Sequence, residues 1–286
     1  MTSRERLAHA RLPEYGLFRS VCHSGLHAVR PLKESAESSD SWGWNYGSGW
    51  PPSYSAYGRM RALIALADAM ALQPKSVLEI AAGDAALCAS LATQGCQVAA
   101  NDLRKENLEN AVGHFHNASN IRLLPGNLFE LDPAVVGLHD LVIACEIVEH
   151  VAHTVDFLKQ LKRFVAPGGH ILLTTPNGSY FRNTLPTHSM IQDFTALESQ
   201  EFKPDADGHL FLITPEEMLD LADRAGLTVE RLSLWGTPFI TGHAGISKLG
   251  PTLTCRLCHS LERSMQKFPL AIKARLCFSM SLVLGL

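Results

Sequence analysis

The chain has 286 residues, 46% hydrophobic and 19% charged, with a net charge of −3; this is a globular balance, sufficient for one large core and a small appendage. The small net charge gives no support for broad electrostatic binding to nucleic acid. The opening MTSRERLAHARLPEYG lacks the apolar run of a secretion signal, and the seven cysteines follow no disulfide spacing. Both point to a reducing cytoplasm.

In chain order, residues 1–55 are irregular and aromatic-rich, with SWGWNYGSGWPPSYSAYG at their end; they read as a lid or extension. A helical period begins near 56, through Met60, Leu63, Ile64, Ala67 and Met70, and stops before Pro74. From 76 to about 235, short apolar runs alternate with amphipathic stretches. SVLEIA, CQVAAND, IRLLPGN, HDLVIAC, HILLTTP and TVERLSLW read as strands. Such alternation predicts an α/β fold, with a mostly parallel sheet and helices on both faces.

Ligands of open α/β sheets lie outside the carboxyl ends of the strands. The first run ends at Glu79 and leads through AAGDA into a helix, where Gly83 permits close backbone approach. Ala81 and Ala85 stand where such a loop often repeats glycine. The second run ends at Asp102, a carboxylate able to accept ribose hydroxyls. The third ends at Asn127, whose amide can read an adenine edge, and the fourth at Cys145 and Glu146.

These four ordered motifs, LEIAAGDAALCAS, AANDL, LLPGNLFEL and HDLVIACEIVEHV, make residues 56–235 resemble the class I S-adenosylmethionine-dependent methyltransferases. The nearest likeness is to ubiquinone-biosynthesis O-methyltransferases. The resemblance implies a Rossmann-like, doubly wound, seven-stranded sheet. It implies that Glu79, Ala81 and Gly83 surround the methionine part of S-adenosylmethionine, with Cys145 beside them, and that Arg59 reaches its carboxylate. Asp102 and Leu103 would meet the ribose and its surroundings, and Asn127 and Leu128 the adenine. Ala81 and Ala85 depart from the family's glycine pattern.

Acceptor-side chemistry concentrates in CEIVEHV. Glu146, Glu149 and His150 stand at i, i+3 and i+4, so a helix would place them on one face. His209 follows in an insertion at about 177–212. Two carboxylates and two imidazoles can hold a divalent ion such as Mg²⁺ or Mn²⁺, which would acidify a bound hydroxyl. Two branches of the family carry a like motif, one of them with a later histidine as metal ligand. The alternative is a metal-free site in which the glutamate orients backbone and the histidine lines the pocket. In either case Glu146 and His150 are the catalytic candidates.

Residues 241–286 end in LERSMQKFPLAIKARLCFSMSLVLGL, where Lys267, Lys273 and Arg275 are mixed with apolar residues. This predicts an amphipathic helical tail that lies on a membrane surface, forms a dimer interface or docks on its own domain. The expected activity is O-methylation of a small hydroxylated molecule of phenol, quinol or sugar type. The alternatives are metal-dependent methylation of an RNA 3′-end ribose, disfavoured by the charge balance, and a cofactor-binding partner subunit without catalysis. The expected location is the cytoplasm, with peripheral membrane contact through the tail.

Overall fold

The inner apolar runs become strands because each is buried from both sides, while the edge runs keep some exposed residues. The computed structural model of the protein describes residues 61, 64–83, 85–114, 120–201, 208–241 and 260–286. The strands are β1 (Ser76–Ile80), β2 (Gln97–Asp102), β3 (Ile121–Pro125), β4 (His139–Cys145), β5 (Val165–Pro176), β6 (Thr228–Trp235) and β7 (Ser279–Gly285). They form one seven-stranded sheet in the order β3-β2-β1-β4-β5-β7-β6. Strands β1 to β5 run parallel, whereas β7 is antiparallel to both β5 and β6.

Successive residues on a strand face opposite sides, and here the two sides carry two cores. Val77, Leu141, Ile143, Leu172 and Val283 face one side, packed with α1 (64–71), α2 (Ala86–Thr93) and Leu108 of α3 (Lys105–His114). Leu78, Ile80, Val142, Ala144, Leu173 and Leu282 face the other. There they meet Phe157, Leu158 and Leu161 of α4 (Thr154–Lys162) and Met218, Leu219 and Leu221 of α5 (Pro215–Arg224). This is why the central strands lack a polar face.

The tail differs from the expected amphipathic helix. Residues 260–265 and Leu270–Leu276 (α6) are helical, but Ser279–Gly285 is a strand buried at every residue, inserted between β5 and β6. Burying a leucine such as Leu282 or Leu284 contributes roughly 1.5–3 kcal/mol, so this segment is core. Asp68 of α1 crosses beneath it. Its carboxylate, wholly buried, meets Arg231 of β6 at 2.8 Å and accepts a hydrogen bond from the Ser281 hydroxyl of β7. Burial raises the Asp68 pKa, while Arg231 and Ser281 pull it down.

The insertion leaves the carboxyl end of β5 at Asn177, which is fully buried. Its amide Nδ2 donates to the carbonyls of Ala274 and Cys277. The chain returns through bridges Thr187↔Leu212 and Asn177↔Ile213. It then enters α5 through a capping box, in which Thr214 and Glu217 satisfy each other's amides.

Candidate active site

The sheet order reverses between β1 and β4, which is where a crevice opens at the carboxyl ends of parallel strands. The loop leaving β1 turns through three left-handed residues: Ala81 at φ 52, Gly83 at φ 54 and Ala85 at φ 51. The alanines thus adopt the conformation that glycine would take without cost. Ala82 N–H donates to the Asn101 carbonyl at 2.8 Å, tying the loop to β2. A Cβ placed on Gly83 would meet nothing within 4 Å, so the loop is open on that side.

Asp102, at the end of β2, holds this loop in place. Its Oδ2 accepts from the Gly83 amide at 3.0 Å; its Oδ1 accepts from the Arg104 amide at 2.9 Å and from Asn107 Nδ2 at 3.3 Å. Three of roughly four acceptor positions on the carboxylate are therefore taken, leaving about one for a ribose hydroxyl. Leu103 beside it is 54% exposed, an apolar surface at the strand end. Glu79 is turned inward and accepts from the Cys88 thiol at 2.9 Å.

Two expected adenine contacts are otherwise engaged. Asn127 caps the turn Leu128–Glu130: its Oδ1 accepts from the Phe129 amide and its Nδ2 donates to Glu130. Leu128 is 1% exposed and packs in the core. Arg59 and the aromatic-rich residues 1–55 lie outside the described residues.

Beyond β4 the chain does not form the expected α-helix. Glu146 is left-handed at φ 52, and only Val148–His150 makes a short 3₁₀ turn. The helical face that would have gathered all three side chains is therefore lost. Glu146 Oε1 accepts from the Thr174 hydroxyl at 2.9 Å and its Oε2 lies 3.5 Å from Arg61 Nη1. Glu149, wholly buried, accepts from the Thr175 hydroxyl through Oε2 at 2.9 Å. Its Oε1 has no hydrogen-bond partner among the described residues and lies 3.9 Å from His209 Nε2. The insertion is fastened here, because the Leu210 amide donates to the Glu149 carbonyl at 3.0 Å. The rings of His150 and His209 stand edge to face with centroids 5.0 Å apart. One ligand atom from each of Glu149, His150 and His209 lies within 4.8 Å of the others. Glu146 is not part of this trio.

A family model described as a methyltransferase domain matches residues 54–232. The chain belongs to the class I S-adenosylmethionine-dependent methyltransferases. Among relatives of this methyltransferase, the ubiquinone biosynthesis O-methyltransferase of Acinetobacter baumannii (strain AYE) is 30% identical over 169 residues, which is 57% of this chain and 67% of the relative. That of Vibrio parahaemolyticus serotype O3:K6 (strain RIMD 2210633) is 25% identical over 202 residues, 69% of this chain and 81% of the relative. Two solved structures share the fold. The methyltransferase domain of bacterial CtHen1-C has TM-score 0.51 and 15% identity, covering 80% of this chain and 98% of that one. The CcbJ methyltransferase of Streptomyces caelestis has TM-score 0.50 and 16% identity, covering 82% and 96%.

The electrostatics of the methyltransferase's site follow from burial. The Glu149 carboxyl is held well above the usual carboxylate range, first by desolvation and then by the charge of Glu146. Burial and the neighbouring Glu79 likewise push up the Cys145 thiol. Thr174 and Thr175, which fix the two glutamates, went unnoticed in the sequence. Strand register is the signal that finds them: Thr174 pairs with Cys145, so both threonines sit beside the residues that leave β4.

Proposed function

We propose that this methyltransferase transfers a methyl group to a hydroxyl oxygen of a small acceptor of phenol, quinol or sugar type. The observation that carries the proposal is the Glu149–His150–His209 trio: a buried carboxylate with one unbonded oxygen beside two imidazoles, close to the strand ends that bear the β1 loop. Relatives named as ubiquinone biosynthesis O-methyltransferases support oxygen as the acceptor atom.

S-adenosylmethionine supplies an electrophilic methyl on a sulfonium. The protein's task is to hold the cofactor and acceptor in line and to take a proton. The turn of Ala81, Gly83 and Ala85 at the N-terminus of α2 would hold the cofactor against backbone, the remaining acceptor position of Asp102 would take a ribose hydroxyl, and exposed Leu103 would offer the adenine an apolar surface. Arg61 and Thr174 hold Glu146 at the wall between cofactor and acceptor. An imidazole of the His150–His209 pair accepts the proton of the attacking hydroxyl, and Thr175 keeps the Glu149 carboxylate turned toward that pair.

A divalent cation fits the same three residues. A buried carboxylate whose oxygen lacks a donor, and whose ionised form is penalised by burial, is relieved by a cation beside it. Glu149, His150 and His209 would hold Mg²⁺ or Mn²⁺, which lowers the pKa of a hydroxyl bound to it. The test is incubation with S-adenosylmethionine and a panel of catechols, quinols, sugars and amines, with chelator or with added Mg²⁺ or Mn²⁺, and product analysis by mass spectrometry. A methyl ether supports the proposal. Methylated amines or carbons alone, or cofactor binding with no product on any acceptor, would overturn it.

A further inference from the structure

Strand β7 is antiparallel, so its first residue, Ser279, pairs with Pro176, the last residue of β5. Helix α6, which leads into β7, therefore stands at the carboxyl ends of the parallel strands, on the side that carries the β1 loop and Asp102. The insertion starts at the same edge, and the Phe181 amide donates to the Arg275 carbonyl at 3.0 Å. Two segments distant in sequence are thus joined into one rim.

That rim is apolar and basic. Phe181 and Phe268 are each 48% exposed and Ile272 is 40% exposed. Phe268 stands just before Pro269, the N-cap of α6, and Ile272 and Arg275 lie three residues apart on the helix itself, the Arg275 end meeting Phe181. Arg182, Lys267 and Arg275 are exposed among them. Neither 177–192 nor 263–286 contains an aspartate or glutamate, although the whole chain carries a net charge of −3. The acidic residue just before the second segment, Glu262, is buried and accepts from the amides of Gly236 and Thr237. Among the described residues no helix is long and apolar enough to cross a membrane.

We propose that this rim docks on the surface of an anionic lipid bilayer. Aromatic and aliphatic side chains inserted at headgroup depth with cations among them match the chemistry of such a surface. Each cation strengthens binding roughly fivefold, so the three together account for on the order of a hundredfold. Docking in this orientation turns the strand ends, and with them the crevice, toward the bilayer. The proposal is independent of the acceptor, because vesicle binding is measured without turnover.

The experiment is co-sedimentation of the full chain with phosphatidylcholine vesicles, and with vesicles of roughly three parts phosphatidylcholine to one part phosphatidylglycerol, at low and high salt. The expected result is binding only to the mixed vesicles, weakened by salt. It should be abolished in the double variant Phe268→Ser, Ile272→Ser and reduced on the order of a hundredfold in the triple variant Arg182→Ala, Lys267→Ala, Arg275→Ala. Thermal melting and S-adenosylhomocysteine binding should remain as in the parent; the triple variant, altered only at exposed charges, decides the matter should the double variant fail to fold. Absence of binding to the mixed vesicles, or binding that neither variant changes, would overturn the proposal. So would sedimentation velocity showing a dimer that either variant dissociates, since a second copy would then cover the rim.

Discussion

Replacing Ala81 with glycine should stabilise this protein, opposite to the usual direction of that substitution. Ala81 is exposed and stands at φ 52, where an L-residue costs roughly 1–2 kcal/mol relative to the right-handed region. Glycine removes that cost but gives the unfolded chain freedom worth roughly 0.4–1 kcal/mol. The net gain is about 1 kcal/mol, or roughly 2–4 °C in Tm for a chain of this size. Ala85, at φ 51, offers a contrast because it is 1% exposed. Glycine there recovers the same backbone energy but loses a buried methyl worth about 0.8 kcal/mol, so Ala85→Gly should be near neutral. Gly83→Ala runs the other way. Its Cβ meets nothing within 4 Å at φ 54, so the change costs the backbone energy alone, about 1 kcal/mol. Urea unfolding of the three variants gives the values. Destabilisation by Ala81→Gly, or an unchanged stability in Gly83→Ala, would refute the left-handed loop.

Asp102→Ala removes both a ribose acceptor and the anchor of the Gly83 amide. It should weaken S-adenosylhomocysteine binding ten- to a hundredfold, as expected for roughly 1.5–3 kcal/mol from a hydrogen bond to a charged group; unchanged affinity by calorimetry would contradict that role. The raised pKa of Glu149 means that the folded state holds a proton that the unfolded state releases. Its stabilising effect is therefore complete below the ordinary carboxylate range and is lost as pH rises toward the folded value. In chelator, Glu149→Gln should flatten the fall of Tm as pH rises above the ordinary carboxylate range, and an unaltered pH profile would count against the buried carboxyl. Binding of Mn²⁺ should release a proton from the same site, seen as a calorimetric heat that varies with the ionisation enthalpy of the buffer. Deleting residues 279–286 should abolish cooperative unfolding, and Leu282→Ala, at a wholly buried position, should cost roughly 2–5 kcal/mol; a deletion variant that still melts cooperatively would show that β7 is dispensable.

Strands β1 to β5 were legible because each short apolar run is followed by a helical stretch, and the ligand rule for open sheets then pointed to Gly83, Asp102 and Glu146. Strand β7 was not, since SMSLVLGL is a short, mostly apolar run without charge, and periodicity cannot separate a buried strand of that kind from a helix. The spacing of Glu146, Glu149 and His150 suggested one helical face. Nothing about a glutamate announces φ 52, and that single left-handed residue removes Glu146 from the trio. His209 was found without any local signal, from its place in the insertion and from the family branch that uses a later histidine; the Leu210–Glu149 backbone hydrogen bond explains why it arrives. Asn127 illustrates two uses of one residue type: its amide can read a base, but Asn followed by Phe129 and Glu130 is also a turn cap, and the local use prevails.

The place of β7 also dictates an order of events during synthesis. The parallel strands β1 to β5 can pair as they leave the ribosome, each beside one already made. β6 cannot, because the strand that joins it to β5 begins at Ser279, well after β6 ends at Trp235. Until then β5 has an open edge and Trp235 lacks its cover, the condition in which nascent chains aggregate or recruit chaperones. The closing step also ties Asn177 to the stretch ahead of β7 through the Ala274 and Cys277 carbonyls. The proposed acceptor wall is therefore finished together with the sheet, and a chain whose translation stalls in the intervening stretch has the parallel strands without that wall.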